Sequence, residues 1–347
     1  MYIKRILLGI VLFGLIGGGI FAYMIYGIFF TPNTSFNNEE AFIYIPSNAS
    51  ENDIIEQMSP VLKDIDAFKS AAKRKGYLDN IKAGKYKVKE GMNNNEIVNS
   101  LRSGNLPVKV SFNNQESVYD LAGRIAGQIE ADSVSLVKVF TDIDFLKANG
   151  FNDDNLISPY IPNSYEFFWN TSATGFRDRM LTEYKRFWNE SRLEKAKKIG
   201  LQPNEVIALA SIVHKETAKV DERPTVAGVY LNRLRTRMLL QADPTVIYAI
   251  KKETGNFDTI IKRVLYKDLE MNSPYNTYKY GGLPPGPIAM PDITAIDAVL
   301  NPKKHNYYYF VANVEKFGYH MFAENLAQHN RNKEQYIRWI NAQKINR

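Results

Sequence analysis

The chain has 347 residues, 45% of them hydrophobic, with 44 Lys and Arg against 37 Asp and Glu and a formal charge of +7. That balance supports one large or two modest packed domains and excludes a wholly disordered or collagen-like chain. Cysteine is absent, which excludes thiol nucleophiles, disulfide frameworks, Cys-ligated zinc, iron–sulfur clusters and a lipid anchor on Cys.

From Ile6 to Phe30 no side chain is charged. At 1.5 Å per residue these roughly 25 residues exceed the ~30 Å hydrocarbon core of a bilayer, so a single transmembrane helix is expected within residues 1–31. A cleaved signal peptide would carry a shorter apolar run and a small-residue cleavage site. Here Phe21, Tyr23, Tyr26, Phe29 and Phe30 crowd the far end instead. Lys4 and Arg5 precede the span and the next charge is Glu39. The expected orientation is therefore single-pass in the cell (inner) membrane, N-terminus cytoplasmic, the rest periplasmic or extracytoplasmic. The remaining basic residues are scattered, as at Lys73, Lys195 and Lys303. They read as solvated faces, with no nucleic-acid surface expected.

Residues 32–40 are polar and turn-forming and read as a tether. A small αβ module is expected over 41–108. It starts with a strand at 41–45 and a helix capped by Ser50 with Asp53. A strand around Tyr86 and Val88, a turn at Gly91 and a helix over 94–101 closed by Gly104 follow. Its strand, helix, helix, strand order resembles a LysM-like carbohydrate-binding fold.

A larger mixed domain is expected over 109–343, making the fold class α+β. Residues 109–112 read as a strand and 116–129 as a helix with Val118, Leu121, Ala122 and Ile125 on one face. Pro159, Pro162 and Asn163 mark a loop ahead of the aromatic cluster Phe167, Phe168 and Trp169. Residues 175–198 read as one long charged helix whose Met180, Leu181, Tyr184 and Phe187 belong to the core. Near the other end, 306–312 reads as a buried strand.

The segment between carries the chemistry. Pro203 opens a helix in which Val206, Leu209, Ala210 and Val213 recur at i, i+3, i+4 and i+7. The same stripe, three residues on, lands on Glu216, whereas His214 and Lys215 rotate away. A carboxyl at the end of a buried stripe has a raised pKa, as a general acid near neutral pH requires. A plain ion pair with Lys215, Lys219 or Arg223 is the competing reading. A second helix is expected to start at 221–224 and to end before 241–246. Residues 275–278 and 281–288 are loops of Asn, Tyr, Gly and Pro. Their donors and aromatic faces suit sugar rings, with plain turn chemistry the alternative. His214, His305, His320 and His329 lack metal-ligand spacing, and no P-loop or Gly-x-Ser-x-Gly occurs. No metal and no cofactor are expected.

Five phrases, in order, resemble the YceG-like family of endolytic murein transglycosylases: Ala210-Ser-Ile-Val-His-Lys-Glu-Thr217, Val229-Tyr-Leu-Asn-Arg-Leu234, Leu240-Gln-Ala-Asp-Pro-Thr-Val-Ile-Tyr248, Tyr275-Asn-Thr-Tyr278 and Gly282-Leu-Pro-Pro-Gly-Pro-Ile288. His320-Met-Phe-Ala-Glu-Asn-Leu-Ala-Gln-His-Asn330 continues the match. The resemblance implies that Glu216 is the single catalytic acid/base. It matches the second Glu of the family phrase Ile-Val-Glu-Lys-Glu-Thr, whose first Glu is His214 here. The expected walls of the sugar cleft are Gln241, Asp243, Tyr275, Asn276, Tyr278, Gly282, Pro284 and Gly286, joined by His320 and Asn325. Upstream, Ile157-Ser158 stands where many members have Glu-Gly, which leaves the contacts of Tyr165 and Glu166 unassigned. The implied substrate is the nascent peptidoglycan glycan strand. Cutting it between N-acetylmuramic acid and N-acetylglucosamine would leave 1,6-anhydro ends and terminate elongation, with peptidoglycan synthases as implied partners. Two readings stay open beside this one. One is a hydrolytic muramidase using Asp221, Glu222 or Asp243 as its second carboxylate. The other is a non-catalytic membrane protein that binds peptidoglycan or regulates a synthase.

Overall fold

The computed structural model describes residues 2–342. Met1 and residue 343, the two ends of the expected domain ranges, lie outside the described residues. The chain forms a mixed α+β structure of two compact units. The first comprises 1–110, 128–131 and 165–172, the second the remainder.

The first unit begins with α1 (Tyr2–Phe30), 29 residues with none buried, the one helix among the described residues long and apolar enough to cross a membrane. Then follow β1 (Glu40–Ile45), α2 (Glu51–Met58), a 3₁₀ turn at Ser59–Val61, α3 (Ile65–Arg74), β2 (Gly84–Lys89), α4 (Asn94–Ser103) and β3 (Pro107–Phe112). β1 and β2 pair antiparallel from Glu40 opposite Lys89 to Ile45 opposite Gly84. Strand alternation turns Ile43, Ile45, Tyr86 and Val88 inward onto Ile54, Met58, Phe68, Ile97 and Leu101 of the helices. Ser50 with Asp53 and Asn93 with Glu96 close capping boxes at the starts of α2 and α4.

The expected tether differs from a free linker. Asn33 and Thr34 are buried, and bridges join Pro32 to Asn93 and Thr34 to Leu62. The Asn33 amide donates to Asp64 O and to Asn94 Oδ1, both at 2.7 Å. Polar side chains that satisfy neighbouring main chain stitch the segment into the unit, where composition alone suggested solvent.

The second unit is mostly helical. Its first part holds α5 (Val118–Ala126), α6 (Ser133–Phe140) and α7 (Ile143–Ala148). β4 (Asn163–Phe168), which pairs with β3, returns the chain to the first unit from Tyr165 on, and α8 (Ala173–Phe187) and α9 (Glu190–Ile199) follow in the second. Then come α10 (Pro203–Glu216), α11 (Arg223–Arg235), α12 (Asp243–Thr254), the single turn α13 (Tyr266–Leu269) and α14 (Ile293–Leu300). A hairpin of β5 (Tyr309–Ala312) and β6 (His320–Ala323) leads to α15 (Leu326–Ala342), with Tyr309 opposite Ala323 and Ala312 opposite His320.

Four expectations change here. The helix expected over 116–129 is shorter, capped by Ser117 and ended at Gly127, although its predicted face is buried. The long helix expected over 175–198 is two, because Asn189 takes extended backbone and its side chain accepts the Arg192 N–H, starting α9 afresh. Phe167 is buried but Phe168 is exposed, since adjacent strand residues face opposite ways. The strand expected over 306–312 is only β5, half-buried along its length.

The core of this unit is α10 packed on α11 and α14. α10 is not a one-sided helix. Every residue from Val206 to Val213 is buried, so the stripe read in the sequence is one of several apolar faces. Ser211, fully buried, donates to Ala208 O at 2.7 Å and accepts the Ile288 N–H at 3.0 Å, which ties the 281–288 loop to the helix.

Candidate active site

Glu216 is the last residue of α10, mostly enclosed yet still reaching solvent. Its Oε1 accepts the Tyr230 hydroxyl at 2.6 Å. Burial pushes the carboxyl up to about 7; the charge of Asp243 adds to that, while the Tyr230 hydrogen bond and the positive charges of His320 and Arg233 pull it back. The Tyr230 hydroxyl is itself buried, which drives its pKa well above the ordinary value, so it stays a donor. A carboxyl in this setting holds its proton near neutral pH and can both give and take one.

Tyr230 and Arg233 stand at i and i+3 on α11 and so share a face. Arg233 is buried and donates to Tyr308 O and Leu240 O, both at 2.6 Å. Sequence reading passed over both as motif neighbours. The available signal was Arg233 lying three residues after Tyr230 and four after Val229, on a face that the Val226, Val229 and Tyr230 spacing turns inward, where a guanidinium has to find acceptors.

Among the expected cleft residues, the structure gathers Asp243, Tyr278 and His320 electrostatically around Glu216. Asp243 is exposed at the first turn of α12 and accepts the Tyr278 hydroxyl at 2.5 Å. Gln241 is exposed in the left-handed region at φ 48°, its N–H bonded to Thr277 O at 3.1 Å. Gly282, also exposed, turns at φ +85°.

The others sit elsewhere. Tyr275 and Asn276 are inside the fold. The Tyr275 hydroxyl lies 3.1 Å from Asp154 O, and the Asn276 amide donates to Leu269 O and Met271 O at 2.8 and 2.9 Å. Both brace the loop from beneath. Pro284 and Gly286 are buried, and Asn325 caps α15 by accepting the Gln328 N–H. Tyr165 and Glu166 lie on β4, in the first unit. A Cβ at Gly286 would come within 1.8 Å of Asp154 O. Gly286→Ala is therefore expected to cost about 2 kcal/mol, a fall in Tm of about 4–8 °C, with KM unchanged in the folded fraction. An altered KM at unchanged Tm would instead make Gly286 a sugar contact.

The three candidate second carboxylates are engaged. Asp221 accepts the Tyr319 hydroxyl at 3.0 Å, Glu222 binds Thr217 and His320, and Asp243 holds Tyr278. A cleft of about 450 Å³ is lined by Glu116, Lys215, Pro244, Ile247 and Lys251, and Glu216 is not part of its wall. Lys215 and Lys251 both bond Glu116, at 2.5 and 2.6 Å. Among the described residues, no three His, Asp or Glu side chains are grouped as metal ligands would be.

The family described as the YceG-like family matches residues 43–335. The endolytic murein transglycosylase of Bacillus subtilis (strain 168) is 31% identical over 315 residues, covering 85% of this chain and 84% of that protein. The endolytic murein transglycosylase of Streptococcus pneumoniae serotype 2 (strain D39) is 27% identical over 349 residues, 92% of this chain, which spans only 62% of that relative's length. A 2.6 Å crystal structure described as a yceG-like protein of Listeria monocytogenes superposes with a TM-score of 0.57 at 28% identity, covering 85% of this chain and 99% of that one.

Proposed function

The chain belongs to the YceG-like family, and from that premise we propose that it is an endolytic murein transglycosylase, a lyase that cuts peptidoglycan glycan strands with Glu216 as its one acid/base. The observation that carries the assignment of the residue is the position of Glu216, desolvated at the end of α10 with its proton held to about 7.

A hydrolytic glycosidase uses two carboxylates and a water. Here one suffices. Protonated Glu216 gives its proton to the oxygen linking N-acetylmuramic acid to N-acetylglucosamine, and the C1–O bond breaks. The resulting carboxylate takes the proton of the muramoyl C6 hydroxyl, whose oxygen bonds to C1. Glu216 is then protonated again, and no water is consumed. The nucleophile belongs to the same sugar, so its effective concentration is very high. Asp243, held by Tyr278, supplies negative charge for the oxocarbenium-like transition state. Gln241, Gly282 and Tyr278 line the approach, while Tyr275, Asn276 and Gly286 hold the loop that presents them.

α1 serves as a single-pass anchor in the cell membrane. Lys4 and Arg5 ahead of the span support a cytoplasmic N-terminus, an orientation in which the site would meet nascent strands outside the cell membrane. Residues 41–108 act as a LysM-like glycan-binding module, supported by the strand, helix, helix, strand order from β1 to β2, and 109–343 as the catalytic domain. Synthases that polymerise the strands are the partners this chemistry would need.

The test is digestion of uncrosslinked glycan by the full chain in detergent, with the ends weighed by mass spectrometry. 1,6-Anhydro ends support the reading, ends one water heavier point to a hydrolase, and uncut glycan points to a binding protein. Tyr230→Phe is expected to retain the reaction but to move the alkaline limb of kcat/KM upward. A hydrogen bond to a charged group is worth about 1.5–3 kcal/mol, about one to two pH units, and it favours the ionised form. An unmoved limb would remove Tyr230 from control of the acid.

A further inference from the structure

We propose that Glu222 is a positioning residue of this reaction: it holds His320 beside the catalytic carboxyl and clamps the turn that follows it, a role that rests on Glu216 being the acid/base. Glu222 is only 5% exposed and has no part in the chemistry above. Its Oε2 accepts the Thr217 hydroxyl at 2.9 Å and contacts His320 Nδ1 at 2.8 Å, and its Oε1 accepts the His320 main-chain N–H at 2.7 Å. One carboxylate thus joins the residue after Glu216, the start of α11 and the start of β6.

The clamp closes from the other side as well. Arg223 Nε donates to Thr217 O at 3.3 Å, so Thr217 is gripped by its side chain and its carbonyl from two consecutive residues. His320 packs its edge on Phe310, ring centres 5.0 Å apart, which leaves the imidazole little freedom. A carboxylate sequestered this way is costly unless its partners are in place. Burial would raise the Glu222 carboxyl, but the bonds from His320 and Thr217 outweigh that and hold it below its ordinary value.

The pair acts on Glu216 through charge. The groups facing Glu216 are Tyr230 and Arg233 from α11, Asp243 from α12, Tyr278 from the 275–278 loop and His320 from β6. His320 opposes burial and Asp243, so losing it, or losing the Glu222 carboxylate that fixes it, leaves Glu216 a tighter proton holder.

The experiment measures kcat, KM and their pH dependence for Glu222→Gln, His320→Gln and the double variant in the full chain on uncrosslinked glycan, with Glu216→Gln alongside. Folded Glu222→Gln is expected to lose about 10- to 100-fold in kcat with KM little changed. Its alkaline limb should move upward, and the double variant should be no worse than the poorer single one. Unchanged kcat and limb in folded Glu222→Gln would overturn the proposal. So would a uniform loss with no shift of the limb, or additive single effects, since packing alone produces those. Should Glu222→Gln fail to fold, His320→Gln carries the same test, because it leaves the Glu222 bond to Thr217 intact. Activity surviving in Glu216→Gln would instead sink the reading of the site itself, whatever Glu222 does.

Discussion

Glu216→Gln is expected to fold and to release about 10³-fold fewer 1,6-anhydro ends than the parent. Amide and carboxyl have the same shape, so the Tyr230 hydroxyl keeps an acceptor, but the amide can neither protonate the leaving oxygen nor take the C6 proton. General acid/base groups contribute about 10²- to 10⁴-fold, and here a single group serves both steps. Mass spectrometry of glycan ends reads the loss directly, and undiminished anhydro ends would acquit Glu216. The same variant carries a thermodynamic signature. The carboxyl titrates near 4.5 when unfolded and at about 7 when folded. The native state therefore binds more protons between those values, and parental stability falls as pH rises from about 4.5 to about 7. Glutamine has no such dependence. The Tm of Glu216→Gln relative to the parent should be flat at acid pH, climb through that window and level off above it. A difference that stays flat throughout would show that the carboxyl is not held in its neutral form.

Arg223→Ala is expected to be the most destabilising of the substitutions considered, by about 4 kcal/mol, because it removes the buried guanidinium at the centre of a hydrogen-bond network and strands the half-buried Asp292 carboxylate. Arg223 is 3% exposed. Its Nη1 reaches both oxygens of Asp292, at 2.6 and 2.8 Å, as well as the Thr294 hydroxyl. Asp292 is in turn the N-cap of α14 and lies 3.3 Å from His214 Nδ1. Burial would raise the Asp292 carboxyl, but these hydrogen bonds hold it far below its ordinary value. The pair thus pins the helix that packs on α10. Thermal unfolding should show a fall in Tm of about 8–16 °C. Removing both charges in Arg223→Ala/Asp292→Asn, which keeps a side-chain acceptor for the α14 cap, should recover part of it, since no unpaired carboxylate is then left. A loss below about 1 kcal/mol, the range of surface pairs, would contradict this account.

Much of this was legible in one dimension because it depends on near neighbours. The apolar run before Phe30 exceeds a bilayer whatever it packs against. The Ser50 and Asn93 caps act within three residues, and the 3.6-residue period carries the α10 stripe to Glu216. The break at Asn189 was equally local and was overlooked because charged residues on both sides continue a helical pattern. What could not be read were properties that belong to pairs distant in the chain. That Glu216 meets Tyr230, 14 residues on, needs α11 to fold back on α10. That Tyr275 and Asn276 are buried while Tyr278 reaches Asp243 depends on which side of a turn meets the core. Asn33 looked like linker because its partners, Asp64 and Asn94, lie 31 and 61 residues away. Residue type and spacing determined the long apolar N-terminal helix, most of the other helices and the stripe that leads to Glu216. Only tertiary packing, by removing water from Glu216 and setting Tyr230, His320, Arg233 and Asp243 around it, decided how tightly that acid holds its proton.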